Sequence, residues 1–210
     1  ADGMFDLITY EKGGSILRML EQFLGENLFR DGVSHYLTKH SYSNTETDDL
    51  WNSLEEISKL PVKKIMDTWI FQPGHPIISY SFKNNSLNIS QKIFRYIDDI
   101  DNNTIWGTPI FIKYKENNEY KFHKFLLDKK SDNISLPKLS KEILLNSNSY
   151  GFYRVDNNFK SNQILSKNYT SEEKYSLIDD YWSMVLNGSK NPENFIDFCK
   201  NFKNELDPDI

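Results

Sequence analysis

The sequence predicts a chain of three consecutive parts, helical, then β, then helical again. The main evidence is that the spacing of its apolar residues changes twice. From residue 4 to about 72 they recur at i, i+3 and i+4, from 76 to about 156 in short runs of period two, and from about 160 the helical spacing returns. Turn formers agree with these boundaries: "QPGHP" closes the first part, and paired asparagines punctuate the second.

In the first part, Leu7, Ile8, Ile16, Leu17, Leu20 and Leu24 set a helix that Gly25 should stop. A second helix, "ENLFRDGVSHYLTKHSY", carries Leu28, Phe29, Val33, Tyr36 and Leu37 on one side. Thr47 caps a third, with Asp48 and Asp49 at the positive end of its dipole and Leu50, Trp51, Leu54 and Ile57 as its buried stripe. Pro61 suits the first turn of a fourth, "PVKKIMDTWIFQ". The β part reads as seven strands, "PIISYSF", "SLNISQKI", "TPIFIKYK", "YKFHKFLLD", "NISLP", "EILLN" and "FYRV", hence a sandwich or barrel. Alternation slips at His123 to Phe125, which predicts a bulge or strand end there. Two more helices follow. One has a capping box at Thr170 and Ser171 and a stop at Gly188; the other starts near Pro192, with Phe195, Phe198, Cys199 and Phe202 inward.

The chain has 210 residues and a formal net charge of -5, so charge makes no case for nucleic acid or an anionic membrane surface. One cysteine, Cys199, excludes an internal disulfide framework and fits a reducing, cytoplasmic compartment. No apolar run approaches the roughly 20 residues of a membrane span. The opening "ADGMFD" reads as the edge of a piece excised from something longer.

None of His35, His40, His75 and His123 forms an H-E-x-x-H pair. His35 and His40 are five apart, so a helix turns them about 140° away from each other, and they read as solvated. Cys199 reads as core, and Asp48/Asp49 and Asp179/Asp180 as capping or surface pairs. Tyr10 stays open at this level. It is either half-buried with its ring in the core, or a phenol poised to donate to a reacting carbonyl. Gly13 and Gly14 follow it, each costing a helix roughly 1 kcal/mol relative to alanine. Such a pair suits a close approach by another backbone or a substrate.

The stretch "FDLITYEKGGSILRMLEQFLG", followed by "YSNTETDDLWNSLEE" and "IMDTWIFQPGHPII", resembles the aminopeptidase N-like (gluzincin) zinc aminopeptidases. The archaeal tricorn-interacting aminopeptidases look most similar. "IWGTPIFIKY", "LLNSNSYGFYRVDNN" and "SLIDDYWSMVLNG" continue the resemblance in order. It implies a multi-domain α and β chain. Residues 1–75 would be the last helices of a catalytic metallopeptidase domain, 76–157 an antiparallel β-sandwich, and 158–210 the first helices of a truncated helical C-terminal domain. It further implies that Tyr10 donates to the oxyanion of the tetrahedral intermediate in a parent enzyme that removes N-terminal residues from short peptides. The zinc motif and the loop holding the substrate's free amine would lie upstream, so the piece itself would bind no zinc and be inactive. Peptides, and a larger protease assembly, are the implied partners; nucleic acid and membrane are not. A non-catalytic sandwich, acting as spacer or as an interaction surface built on Trp106, Tyr114 and Tyr120, is the alternative.

Overall fold

The computed structural model describes residues 8–83, 86–97, 103–135, 142–157, 168–208 and 210. A π-helical turn, Ile8–Lys12, runs without a break into α1, Gly13–Leu24. α2 spans Glu26–Lys39, α3 Thr47–Ser58 and α4 Val62–Ile70. Ile16, Met19, Leu20 and Leu24 form the buried stripe of α1, whereas Leu17 is partly exposed; Leu7 lies outside the described residues. On α2 the expected stripe is rotated. Phe29 and Val33 pack on the core, but Leu28 and Leu37 face outward, and the closest approach to α3 is at Gly32. A Cβ at Gly32 would lie 2.7 Å from a methyl of Leu54, so the two helices meet at a glycine rather than at leucines. The cap of α3 is one residue earlier than expected: Glu46 and Asp49 make the reciprocal box, and Thr47 is already helical.

All seven expected strands are present, as β1 Pro76–Lys83, β2 Ser86–Ile93, β3 Thr108–Glu116, β4 Glu119–Leu127, β5 Ser131–Ile134, β6 Ile143–Leu145 and β7 Arg154–Asp156. They form two sheets, ordered β5-β2-β1-β7 and β4-β3-β6. Every pairing is antiparallel except β1 with β7. The chain enters β7 from the opposite sheet through a 3₁₀ turn at Ser147–Ser149, so no hairpin dictates its direction. The β3–β4 ladder runs unbroken from Thr108↔Leu127 to Glu116↔Glu119, so there is no bulge at His123–Phe125. The alternation slips because Lys121 to Lys124 of this edge strand are all exposed, leaving no buried face to enforce it.

α5, Ser171–Leu186, is capped by the reciprocal Thr170–Glu173 box, and α6 covers Pro192–Cys199. Phe198 is buried with Tyr181, Leu177, Tyr169 and Leu144; Cys199 is only partly buried, its thiol pKa raised by desolvation. Of the Asp179/Asp180 pair, Asp179 keeps a partly exposed side chain and Asp180 is buried, so the surface reading fails for Asp180. Both carboxylates take the Arg154 guanidinium, at 2.7 and 3.3 Å, and buried Asp180 also accepts the Val155 N–H at 3.0 Å. Burial pushes the Asp180 carboxyl up to about 7 against those two donors. Trp106 and Tyr114 are buried, and half-buried Tyr120 donates its hydroxyl to Glu142, so these three form no exposed aromatic surface.

One apolar cluster runs from α1, α3 and α4 into both sheets, so the first helices and the sandwich share a core. Their joint is the segment before β3. Trp69 Nε1 donates to the Gly107 carbonyl at 2.9 Å, and Gly107 N–H donates to Thr68 Oγ1 at 3.0 Å. A Cβ on Gly107 would sit 3.2 Å from the Ile65 Cα, on the buried face of α4 formed by Val62, Ile65, Met66 and Trp69. Gly107→Ala should therefore cost about 1–3 kcal/mol of stability by urea unfolding. An unchanged midpoint would show that α4 can move away from the strand.

Candidate active-site edge around Tyr10

Tyr10 lies at the centre of the π-helical turn. Such turns are rare and cluster at functional sites, because one extra residue per turn re-aims a side chain at a backbone cost. Its side chain is 62% exposed, so the half-buried reading does not describe it. Cβ atoms built on Gly13 and Gly14 would meet nothing within 4 Å, so neither glycine is explained by close packing among the described residues.

The turn is held from its other side. Two residues along a helix point in nearly opposite directions, and Lys12, partly buried, donates to the Gln72 carbonyl at 3.4 Å. Desolvation lowers the Lys12 ammonium pKa. Gln72 is itself fixed, its amide donating to the carbonyls of Thr68 at 2.9 Å and Ile105 at 3.1 Å. The turn after Gln72 leads to His75, stacked on Phe94 at 5.5 Å and tilted against Phe152 at 5.6 Å. Burial holds the imidazole down to about 4, and the Arg154 and Lys12 cations act in the same direction. Phe94 in turn carries the Arg154 guanidinium at 5.1 Å.

The other histidines stay apart from this group. His35 pairs with Glu56 at 2.8 Å, His40 packs beside Tyr36, and His123 is exposed on β4. Among the described residues, no three of histidine, cysteine, aspartate or glutamate come together in a way that could hold a metal ion. Nor is any described helix long and apolar enough to cross a membrane. Lys12 and Gln72, which fix the turn, escaped sequence reasoning. Lys12 is one charge in a polar cluster, and nothing local marks a carbonyl 60 residues away as its partner.

Residues 1–69 match the Peptidase family M1 domain. Nearly the whole chain is similar to leucyl aminopeptidase of Saccharolobus solfataricus, 35% identical over 97% of this chain and 25% of that protein. Tricorn protease-interacting factor F2 of Thermoplasma volcanium is 35% identical, again over 97% of this chain and 25% of its own length. Aminopeptidase M1 of Arabidopsis thaliana is 30% identical over 98% and 25%. The chain therefore spans about a quarter of the length of these relatives.

The His75 environment makes stability depend on pH with a definite sign. The folded imidazole titrates near 4, below the 6.5 of a free one, so the unfolded chain binds more protons between those values. His75 should thus contribute stability above pH 6.5 that is lost as pH falls toward 4, by up to about 3 kcal/mol. Asp180 works in the opposite direction, but it is common to wild type and His75→Phe, so the difference between their pH profiles isolates the histidine. Parallel profiles in urea unfolding would contradict this assignment.

Proposed function

We propose that the chain belongs to the M1 peptidases along the quarter of their length that it spans, and that the whole protein is a zinc aminopeptidase. It would remove N-terminal residues from short peptides. Alignment of nearly all of this chain with aminopeptidases at 30–35% identity carries the reading. In this proposal residues 1–75 end the catalytic domain, 76–157 are the sandwich, and 158–210 open the helical C-terminal domain. The donor set described above does not fit a zinc site, so the proposal assigns the metal's ligands to parts of the protein outside this chain.

Tyr10 is the residue of this chain proposed to act on substrate. It lies inside the region matched to the M1 domain, it is exposed on a π-helical turn, and that turn is tied down from behind by Lys12. A phenol there would donate a hydrogen bond to the oxyanion that develops when a peptide carbonyl is attacked. A rigid ring places such a donor with few torsions to freeze. The name of the Thermoplasma relative supports a larger protease assembly as partner. The single cysteine supports a cytoplasmic setting.

In the full-length enzyme, Tyr10→Phe should lower kcat on the order of a hundredfold or more while leaving metal content unchanged. Steady-state kinetics with an aminoacyl amide substrate and elemental analysis check both; a near-wild-type kcat would remove Tyr10 from the mechanism. The 210-residue chain alone should show neither peptidase activity nor stoichiometric zinc.

A further inference from the structure

Lys12 is an unusual tether. Its ammonium gives up part of its hydration, yet among the described residues its bond is to a backbone carbonyl, that of Gln72. That carbonyl lies just past the C-terminal end of α4, where unpaired carbonyls concentrate partial negative charge, so a cation is favoured there. α4 is in turn among the most firmly held elements near the turn. Trp69 and Thr68 bond to Gly107, Gln72 bonds to Ile105, and Ile65, Met66 and Trp69 are buried. By contrast, the turn carrying Tyr10 is followed by two glycines whose outer side meets no neighbour within 4 Å. Lys12 therefore links a turn bordered by two glycines to a helix held by buried packing and hydrogen bonds.

We infer that Lys12 is a positioning residue for Tyr10: its bond to the Gln72 carbonyl fixes the π-helical turn and thereby where the Tyr10 hydroxyl sits. The inference rests on the proposed role of Tyr10. Lys12 acts here as a tether, with its ammonium committed to the Gln72 carbonyl. A donor misplaced by about 1 Å loses much of its transition-state preference, and such shifts can cost up to about a hundredfold in rate.

The test is a double-mutant cycle in the full-length enzyme, with Tyr10→Phe, Lys12→Met, their combination, and Lys12→Arg as the conservative variant. Lys12→Met should lower kcat by at least about tenfold with KM and melting temperature little changed, and Lys12→Arg should recover most of that loss. In the Tyr10→Phe background, Lys12→Met should cost almost nothing further, because the hydroxyl it positions is gone. Lys12→Gln, which keeps a donor but shortens the reach, should resemble Lys12→Met and serves if that variant folds poorly. If Tyr10→Phe is severely impaired while Lys12→Met keeps its kcat within twofold, the tether is overturned and the role of Tyr10 stands. If Tyr10→Phe is near wild type, both fall. An equal loss from Lys12→Met in both backgrounds would make its effect merely structural and overturn the inference.

Discussion

The position of Tyr10 depends on one joint, where α4 meets the backbone of residues 105–107. Trp69, Thr68 and Gln72 each bond to that short segment from the helical side. From the sandwich side, Gln91 closes it: its amide donates to the carbonyls of Trp106, Leu127 and Lys129, and its oxygen accepts the Trp106 N–H at 3.0 Å. The two hydrogens of the Gln91 amide are thus shared among three carbonyls while its oxygen takes the Trp106 N–H, so one buried side chain matches backbone groups beside the start of β3 and at the end of β4. Because α4 is fixed there, Gln72 is fixed, and through Lys12 so is the turn that presents Tyr10.

A second joint fastens the sandwich to the last helices. Lys113 of β3 and Glu173 of α5 form an ion pair 2.9 Å long, with 7% and 0% of their side chains exposed. Glu173 also accepts from Thr170 N–H, Ser147 Oγ and Asn148 N–H, so its cap and its ion pair share one carboxylate. Desolvating two charges is tolerable only when the remaining lone pairs and protons are matched in this way. Arg154 with Asp179 and Asp180 repeats the arrangement at the end of α5's contact with β7. The sandwich thus contacts both helical parts through polar atoms at defined positions as well as through apolar packing.

The architecture was legible wherever one face of an element is buried and the other is not. Every β-strand and α-helix of the described residues overlaps a run read from periodicity, the π-helical and 3₁₀ turns were not foreseen, and the Thr170 box was visible as a cap. Errors fall where that asymmetry fails. β4 is exposed along most of its length, so its pattern carried no information about register. On α2, the contact face centres on Gly32, a residue that hydropathy ignores, and the helix was read rotated. Capping by Glu46 instead of Thr47 is a choice between adjacent residues that local preference cannot rank. The candidate site was half legible: Tyr10 stood out through its neighbours and through family resemblance, while the contacts that hold it are between residues far apart in the chain. Lys12, Gln72 and Gln91 look like ordinary surface residues until the fold brings backbone carbonyls to them.

The central functional claim is that the Tyr10 hydroxyl sits where negative charge develops during peptide hydrolysis. An experimental structure of the full-length protein with a non-hydrolysable tetrahedral analogue of a peptide addresses it most directly. The account expects the Tyr10 hydroxyl about 3 Å from the analogue's oxyanion-mimicking oxygen, within hydrogen-bond reach. A Tyr10 side chain directed away from the analogue, with another donor on that oxygen, would contradict it.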